Sequence, residues 1–507
     1  MSDRHYLIKV LGLSAMPRLV TFGLTMISFP LMVRAVGASE LGVVVFIGAI
    51  ISVLESFVDF GVSSAAGKDI AAARETRVVP LYAVIRKWAY LQATVALIGL
   101  GPLLGVTYLV ASASSNIEFS LQVLVILVFA TWITISLNFV RACLSSVLAF
   151  KSLAALDAFE SILRSASWLC VAFYAPSTLG LALASVITAG CASAFGSVII
   201  WRFLAGNKAR TPTASANVFS THSTLNTNNM LMESLNFLWL RLATRVFQSI
   251  PVMVFGKLFG SEVVGIVGAF SKIVELINFP FGVIGNALAV RAAGVMAKGN
   301  AAAKALWDVV SRLLGMSLMI AVTIQFGAKL IAELVLPGSR DAGTALAILS
   351  ITVVTTAISS VIAPMSDYVG ALKSRNILLT VFSLIQVIVI WIGGRALGQT
   401  GAFGAYVLVL ALMNCGYVLI ALRAFFPETY YHLRSEVRYF LAIAATALLL
   451  ASLFHKVPGL DHLPMLGPFN VAFFEIAFFW TFVMAGLMLH QAAKAFFLTK
   501  AFFDFQA

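Results

Sequence analysis

An internal repeat constrains this chain more than any other feature, because short segments recur about 222 residues further on. Four pairs of segments share nearly the same offset, which a set of chance matches would not produce. A chain made of two similar halves usually places its working site between them. The paired segments are 18–21 with 241–244, 30–33 with 251–254, 37–42 with 260–265, and 149–152 with 371–374.

The composition shows that both halves are built for a membrane. The chain is 61% hydrophobic and 11% charged, with a mean hydropathy of +0.99, whereas soluble domains carry about 25% charged residues. A spanning segment must satisfy its own backbone polar groups, so it forms helices or a closed barrel. The apolar runs reach about 20 residues, the length of a spanning helix. The sequence therefore predicts an all-α, polytopic membrane protein.

The apolar runs predict about 14 transmembrane helices, arranged as two repeat-related six-helix lobes plus two C-terminal helices. The expected organisation is an N-terminal lobe at 1–205, a polar cytoplasmic linker at 206–234, a C-terminal lobe at 235–430, and two additional spans within 431–507. Because each repeat holds an even number of spans, both lobes are expected to enter the membrane from the same side. The predicted spans are 14–36, 41–62, 84–110, 120–148, 155–175, 179–204, 235–257, 263–290, 308–336, 343–366, 376–398, 401–425, 437–455 and 469–493.

The basic residues predict the orientation of these spans. If the N-terminus is cytoplasmic, 24 of the 34 Lys and Arg residues fall on the inside and 6 on the outside. This bias predicts a multi-pass membrane protein with an even number of spans and both termini in the cytoplasm. The net charge of +13 then reflects topology and contact with anionic membrane lipids, and no nucleic acid partner is expected.

The sequence contains no pattern typical of catalysis or metal binding. The outward connectors are short, whereas a membrane polymerase would carry a large outer loop with paired acids. Gly61, Gly67 and Lys68 approach an ATP-binding loop, but the spacing is one residue too long and Asp69 replaces the Mg²⁺-binding hydroxyl. The four cysteines lie scattered through apolar segments. We therefore predict no catalytic residue, no metal site and no cofactor.

Four of the basic side chains within predicted spans are singled out as site candidates. A charge at the centre of a spanning helix costs roughly 3 kcal/mol on insertion scales, so such residues usually face protein or a water-filled cavity. Since Arg18 and Arg241 are repeat-equivalent, we expect them to face each other and form a cationic cavity for a phosphate or carboxylate. Alternatively, Arg18 reaches the headgroups and Lys272 pairs with Glu275. The predicted substrate-binding residues are Arg18, Arg241, Arg245 and Lys272.

Three acidic side chains also lie within predicted spans, namely Glu55, Asp59 and Glu275. Buried carboxylates can carry protons or bind Na⁺, and they would then couple transport to a gradient of H⁺ or Na⁺. The alternative is that they only neutralise nearby arginines. We predict these three residues as ion-coupling candidates and leave both interpretations open.

The region following the first span resembles the polysaccharide flippases of the MOP superfamily, the Wzx-type O-antigen and exopolysaccharide translocases. The resemblance rests on Arg34, Gly37 and Gly42, followed by Asp59 and Gly61 and then by a basic segment. These residues match the family's opening pattern R-x-x-G-x-x-x-x-G … D-x-G. The layout of six, six and two spans covers nearly the whole chain.

The resemblance implies a bacterial inner-membrane transporter rather than an enzyme. Its cargo would be an undecaprenyl-pyrophosphate-linked oligosaccharide for lipopolysaccharide or another surface polysaccharide, moved from the cytoplasmic to the periplasmic leaflet. Candidate partners would be a polysaccharide polymerase and a chain-length regulator. The cationic cavity fits this cargo, since it would hold the pyrophosphate while the prenyl chain stays in lipid.

Two rival functions remain open at this stage. An ion-coupled drug or metabolite antiporter of the same superfamily would share the two lobes, but a cationic drug would favour acids in the cavity. Four bases against three acids favour an anionic cargo. A membrane enzyme of glycan assembly, such as a polymerase, is disfavoured by the missing outer loop and by the lobe repeat.

Overall fold

A computed structural model describes most of the chain between residues 22 and 425. These described residues form α-helices and contain no β-strand, which confirms the all-α prediction. The described ranges are 22–76, 81–113, 116–147, 149–208, 227–296, 300–339, 341–368 and 372–425.

The helices follow one another with short connections. Their bounds are α1 Phe22–Val36, α2 Ala38–Asp59, α3 Val62–Thr76, α4 Leu81–Ser112, α5 Leu121–Ser146, α6 Phe150–Tyr174, α7 Thr178–Lys208, α8 Thr227–Phe259, α9 Ser261–Met296, α10 Asn300–Phe326, α11 Ala328–Val335, α12 Ala342–Leu349, α13 Thr352–Tyr368 and α14 Leu372–Phe425.

Each of the twelve spans predicted for the two lobes overlaps helix within the described residues, although residues 14–21 of the first lie outside them. The spans predicted at 376–398 and 401–425 form the two parts of α14, which is interrupted at Gly398 with a φ of 66°. Within the described residues, seven helical segments are long and apolar enough to cross a membrane, or eight when α10 and α11 count as one interrupted span. The last two predicted spans lie outside the described residues, so the total of about 14 stays a prediction, as do the lobe and linker boundaries.

The described residues fall into two compact units. The first lies within Met1–Leu276, Lys329–Ala345 and Asn376–Val409, and the second lies within Ile277–Ala328, Leu346–Arg375 and Leu410–Ala507. Part of the first unit's core surrounds Trp88 of α4, which is fully buried against apolar residues of α3 and α5. The indole Nε1 of Trp88 donates to Asp69 Oδ2 at 3.1 Å and fixes α3 against α4.

The turn between α1 and α2 has the same backbone conformation as the turn between α8 and α9. Gly37 has a φ of 86° and Gly260 has a φ of 84°, a region that residues with a side chain rarely adopt. These two glycines are equivalent in the sequence repeat. The repeat therefore extends from residue identity to backbone geometry.

The helices that follow these two turns meet each other through equivalent residues. A Cβ on Gly42 would lie 1.7 Å from the carbonyl oxygen of Ser261, and a Cβ on Gly265 would lie 1.8 Å from that of Ala38. The hydroxyls of Ser39 and Ser261 are 2.9 Å apart and share a hydrogen bond. This reciprocal contact is what a two-fold relation between α2 and α9 produces.

Helix α6 carries more charge than a typical span yet lies among spans. It packs against α5 and α7, both of which are long and apolar enough to cross the membrane. The links to these neighbours are only three residues long, at 147–149 and 175–177. Short connections are typical of neighbouring antiparallel helices, and the 25 residues of α6 include the span predicted at 155–175 apart from its last residue.

Candidate functional site

The predicted acids and arginines of the first unit meet where α2 packs against α8. Glu55 and Asp59 are four residues apart near the end of α2, and Arg241 and Arg245 are four residues apart on α8, so each pair shares one helix face. We call these four residues the α2–α8 cluster. A Cβ at Gly61 would lie 2.3 Å from the carbonyl oxygen of Ser234, so a glycine there lets the end of α2 approach α8 closely.

Both acids of the α2–α8 cluster are paired with its arginines. Arg241 donates to Asp59 through Nη1, and its Nη2 lies 3.5 Å from Glu55 Oε1. Arg245 Nη2 lies 3.7 Å from Glu55 Oε2, and its Nη1 donates to Ser52 Oγ at 3.3 Å. The Asp59 side chain is fully buried. The arginines are more accessible, since the side chain of Arg245 is 36% exposed.

Uncharged polar residues hold the two carboxylates in place. Asp59 Oδ1 accepts a hydrogen bond from Ser63 Oγ at 2.6 Å and another from Gln92 Nε2 of α4 at 3.4 Å. Glu55 Oε1 accepts from Asn138 Nδ2 of α5 at 3.1 Å. Sequence reasoning missed these residues, although a lone amide inside an apolar run is a usable signal.

The α2–α8 cluster is balanced in charge, with two arginines and two acids. The cationic cavity predicted from the sequence therefore takes a different form within the described residues, because the guanidinium groups already hold internal carboxylates. An anion that binds these arginines would compete with Glu55 and Asp59 for the guanidinium groups. The arrangement can exchange an internal carboxylate for an external anion.

Lys272 and Glu275 do not join this cluster. Arg18 lies outside the described residues, so its facing of Arg241 stays a prediction. Lys272 Nζ and Glu275 Oε2 are 2.7 Å apart, three residues apart on α9. The Glu275 side chain is 69% exposed. This local pair matches the alternative interpretation considered for Lys272.

Metal ligands are scarce in the described part of the chain. Among the residues that the structure describes, no group of three or more His, Cys, Asp or Glu side chains could hold a metal ion.

Solved structures with the same fold are transporters of the MOP superfamily. An inward-facing multidrug resistance MATE transporter of that superfamily matches with a TM-score of 0.62 at 16% identity, covering 81% of this chain and 98% of that protein. The lipid II flippase MurJ, in an inward closed conformation, matches with a TM-score of 0.59 at 12% identity, covering 97% and 99%. A Vibrio cholerae MATE transporter in its bent form matches with a TM-score of 0.54 at 17% identity, covering 85% and 100%.

The amino-acid sequence itself matches the model of one protein family. No curated protein matches this chain significantly. The model described as polysaccharide biosynthesis protein matches residues 8–290, which is more than half of the chain and includes the whole α2–α8 cluster. The resemblance stated from the sequence is thus confirmed, and the chain belongs to the polysaccharide biosynthesis protein family, with the fold of the MOP superfamily.

Proposed function

We propose that this protein translocates an undecaprenyl-pyrophosphate-linked oligosaccharide from the inner to the outer leaflet of the bacterial inner membrane, for surface polysaccharide synthesis. The proposal rests on family membership and on one observation, the arginine pair of α8 held at the end of α2 by buried acids. Two guanidinium groups on one helix face suit the two phosphates of the cargo.

The acids next to these arginines give the proposed cycle its control step. With the carboxylates charged, Glu55 and Asp59 occupy Arg241 and Arg245, and the cluster is neutral. When a proton neutralises an acid, its hold on the guanidinium weakens and the pyrophosphate takes its place. Cargo and carboxylate thus compete for the same donors, which couples cargo binding to protons without a further site.

The same competition explains release of the cargo. Once the α2–α8 cluster opens to the outer side, loss of the proton restores the carboxylate, which displaces the pyrophosphate from the arginines. Alternating access of the two lobes then turns exchange at one site into movement across the membrane. The prenyl chain stays in lipid throughout, since its transfer to water would cost about 0.8 kcal/mol per CH₂.

A reconstituted transport measurement tests this proposal. Proteoliposomes carry the purified full chain and a fluorescent undecaprenyl-pyrophosphate-linked oligosaccharide, and a membrane-impermeant quencher reports the outer-leaflet fraction over time. We expect the wild-type protein to make inner-leaflet lipid accessible, and protein-free liposomes to keep it protected.

A parallel arm separates the flippase from the antiporter. The same proteoliposomes receive a cationic dye and a pH gradient. Movement of the dye without movement of the lipid would contradict the proposal and favour the antiporter.

A further inference from the structure

A second group of charges lies in the first unit, within the spans predicted at 120–148 and 155–175, and the proposed function does not use it. Arg141 of α5 donates through Nε to Asp157 Oδ1 of α6 at 3.1 Å, and through Nη2 to Glu160 Oε2. Arg164, one turn further along α6, donates to Glu160 Oε1. We call these four residues the α5–α6 quartet.

The quartet lies deep in the helix bundle. Glu160 is 10 residues from the start of α6 and Arg164 is 10 residues from its end, which places each about 15 Å along the helix axis from the nearer end. The Glu160 side chain is 7% exposed, whereas those of Arg141, Asp157 and Arg164 are 28–41% exposed. Charged groups at this depth face protein or water, so the exposed parts of the quartet line a hydrated surface.

The charges of the quartet exclude a simple ion site. Both oxygens of Glu160 are occupied by arginines, so this carboxylate is not available to a cation. Two arginines and two acids give no net charge, so, as in the α2–α8 cluster, an anion would have to compete with internal carboxylates for the arginines. Exposed donors and acceptors side by side suit an uncharged ligand rich in hydroxyl groups, each of which donates and accepts.

An aromatic ring extends the same face of α6. Trp168 follows Arg164 by four residues and is half-buried, with its ring 5.4 Å from that of Phe29 on α1. The indole offers apolar surface one helical turn from the arginine. Polar groups beside an aromatic surface match a sugar ring, which has polar edges and apolar C–H faces.

Helix α5 joins the quartet to the proposed pyrophosphate site. Asn138 bonds Glu55 of the α2–α8 cluster, and Arg141 lies three residues further along the same face. The two groups are therefore about 5 Å apart along the axis of α5. Sugars attached directly to a pyrophosphate at the α2–α8 cluster would reach the quartet.

From this arrangement we infer that the α5–α6 quartet, with Trp168, is a binding subsite for the uncharged sugars next to the pyrophosphate. This assignment rests on the proposed function and adds a site that recognises the glycan rather than the lipid anchor. Arg164 is the residue best placed to bind sugar, because Glu160 is its one partner among the described residues and most of its five donors remain open.

Binding to the purified full chain in lipid nanodiscs tests the inference with two probes. One probe is bare undecaprenyl pyrophosphate, and the other is the lipid-linked oligosaccharide extracted from cells that make the polysaccharide. For the wild type we expect tighter binding of the glycan-bearing lipid. Arg164→Gln should weaken that binding about tenfold and leave the affinity for the bare lipid unchanged. Arg164→Lys keeps the positive charge but lacks the planar guanidinium group. Its affinity for the glycan-bearing lipid should lie between those of the wild type and Arg164→Gln.

The controls separate failure of this inference from failure of the proposed function. Arg202→Gln changes an exposed arginine at the end of α7 and should match the wild type with both probes. Equal wild-type affinities for the two probes, an unchanged Arg164→Gln variant, or equal losses with both probes would each overturn the sugar subsite alone. If the wild type binds neither probe, the proposed function fails as well.

Discussion

Helices α2 and α9 occupy equivalent places in the repeat, yet they carry different chemistry. Both begin after a glycine with a positive φ, and they meet through Gly42 and Gly265. The acids of α2, Glu55 and Asp59, are buried and pair with arginines of another helix. In the middle of α9, Lys272 and Glu275 pair with each other and are partly exposed.

The difference shows that the repeat preserves backbone geometry while the charges diverge. At an offset of 223 residues, Glu55 of α2 corresponds to Asn278 of α9, and Ser52 corresponds to Glu275. A symmetric scaffold requires small residues where its halves meet, and it places no such demand on the charges along each helix. The exchange chemistry accordingly belongs to α2 and its partner α8.

The strongest test of this comparison removes one partner of the buried ion pair on the α2 side. Arg241→Ala leaves Asp59 buried without its cation, which should lower the free energy of unfolding by about 3–5 kcal/mol and abolish export. The double variant Asp59→Asn, Arg241→Ala removes both charges and should recover most of the stability but not export. Thermal unfolding measures the change in stability, and the amount of surface polysaccharide measures export. Normal export by the double variant would show that Arg241 has only a structural role.

The glycine contact tests the shared backbone rather than the divergent charges. In Gly42→Ala the new methyl group would overlap the backbone of α9, so we expect a loss of about 1–3 kcal/mol in the free energy of unfolding. Gly48→Ala, on the same helix with open space around it, should be neutral or gain up to about 1 kcal/mol. Equal melting temperatures for the two variants would show that the α2–α9 contact does not stabilise the protein.

Arg245 separates the role in binding from the role in stability. Its side chain is more exposed than that of Arg241, and its closest carboxylate oxygen is 3.7 Å away. Arg245→Gln should therefore cost at most about 1 kcal/mol of stability while reducing the affinity for undecaprenyl pyrophosphate about tenfold. An unchanged affinity would restrict anion binding to Arg241.

The smallest effect is expected on the α9 side. Lys272 and Glu275 form a local, partly exposed pair, so Lys272→Ala and Glu275→Gln should each change the free energy of unfolding by less than about 1 kcal/mol. Export should remain near the wild-type level, in contrast to Arg241→Ala. A complete loss of export in either variant would show that Lys272 or Glu275 is required for function. The proposed functional difference between α2 and α9 would then be wrong.

The sequence predicted helices better than it predicted side-chain partners. Apolar runs placed every predicted lobe span on a segment that is at least partly helical in the described residues, because a long apolar run can satisfy its backbone in a bilayer only as a helix or a barrel strand. Spacing within one helix predicted the Lys272–Glu275 pair and the shared face of Arg241 and Arg245. It could not predict the contact between α2 and α8, because Asp59 and Arg241 are 182 residues apart.

The α5–α6 quartet shows a second reason why side-chain partners were harder to predict than helices. The basic-residue tally counted Arg141 and Arg164 as cytoplasmic, yet Arg164 lies in the middle part of α6. Asp157, Glu160 and Arg164 follow one another at helical spacing, and this stripe was the available signal. Because hydropathy is averaged over a window, the surrounding apolar residues outweigh the three charged residues of this stripe.

Competition between carboxylate and pyrophosphate for the same arginines is the central claim, and one binding measurement tests it directly. Glu55 is the carboxylate nearest to Arg245 and also lies near Arg241, so Glu55→Gln should release Arg245 and leave Arg241 paired with Asp59 alone. The account predicts that this variant binds undecaprenyl pyrophosphate in nanodiscs more tightly than the wild type, by on the order of tenfold. Equal or weaker binding by Glu55→Gln would contradict the account.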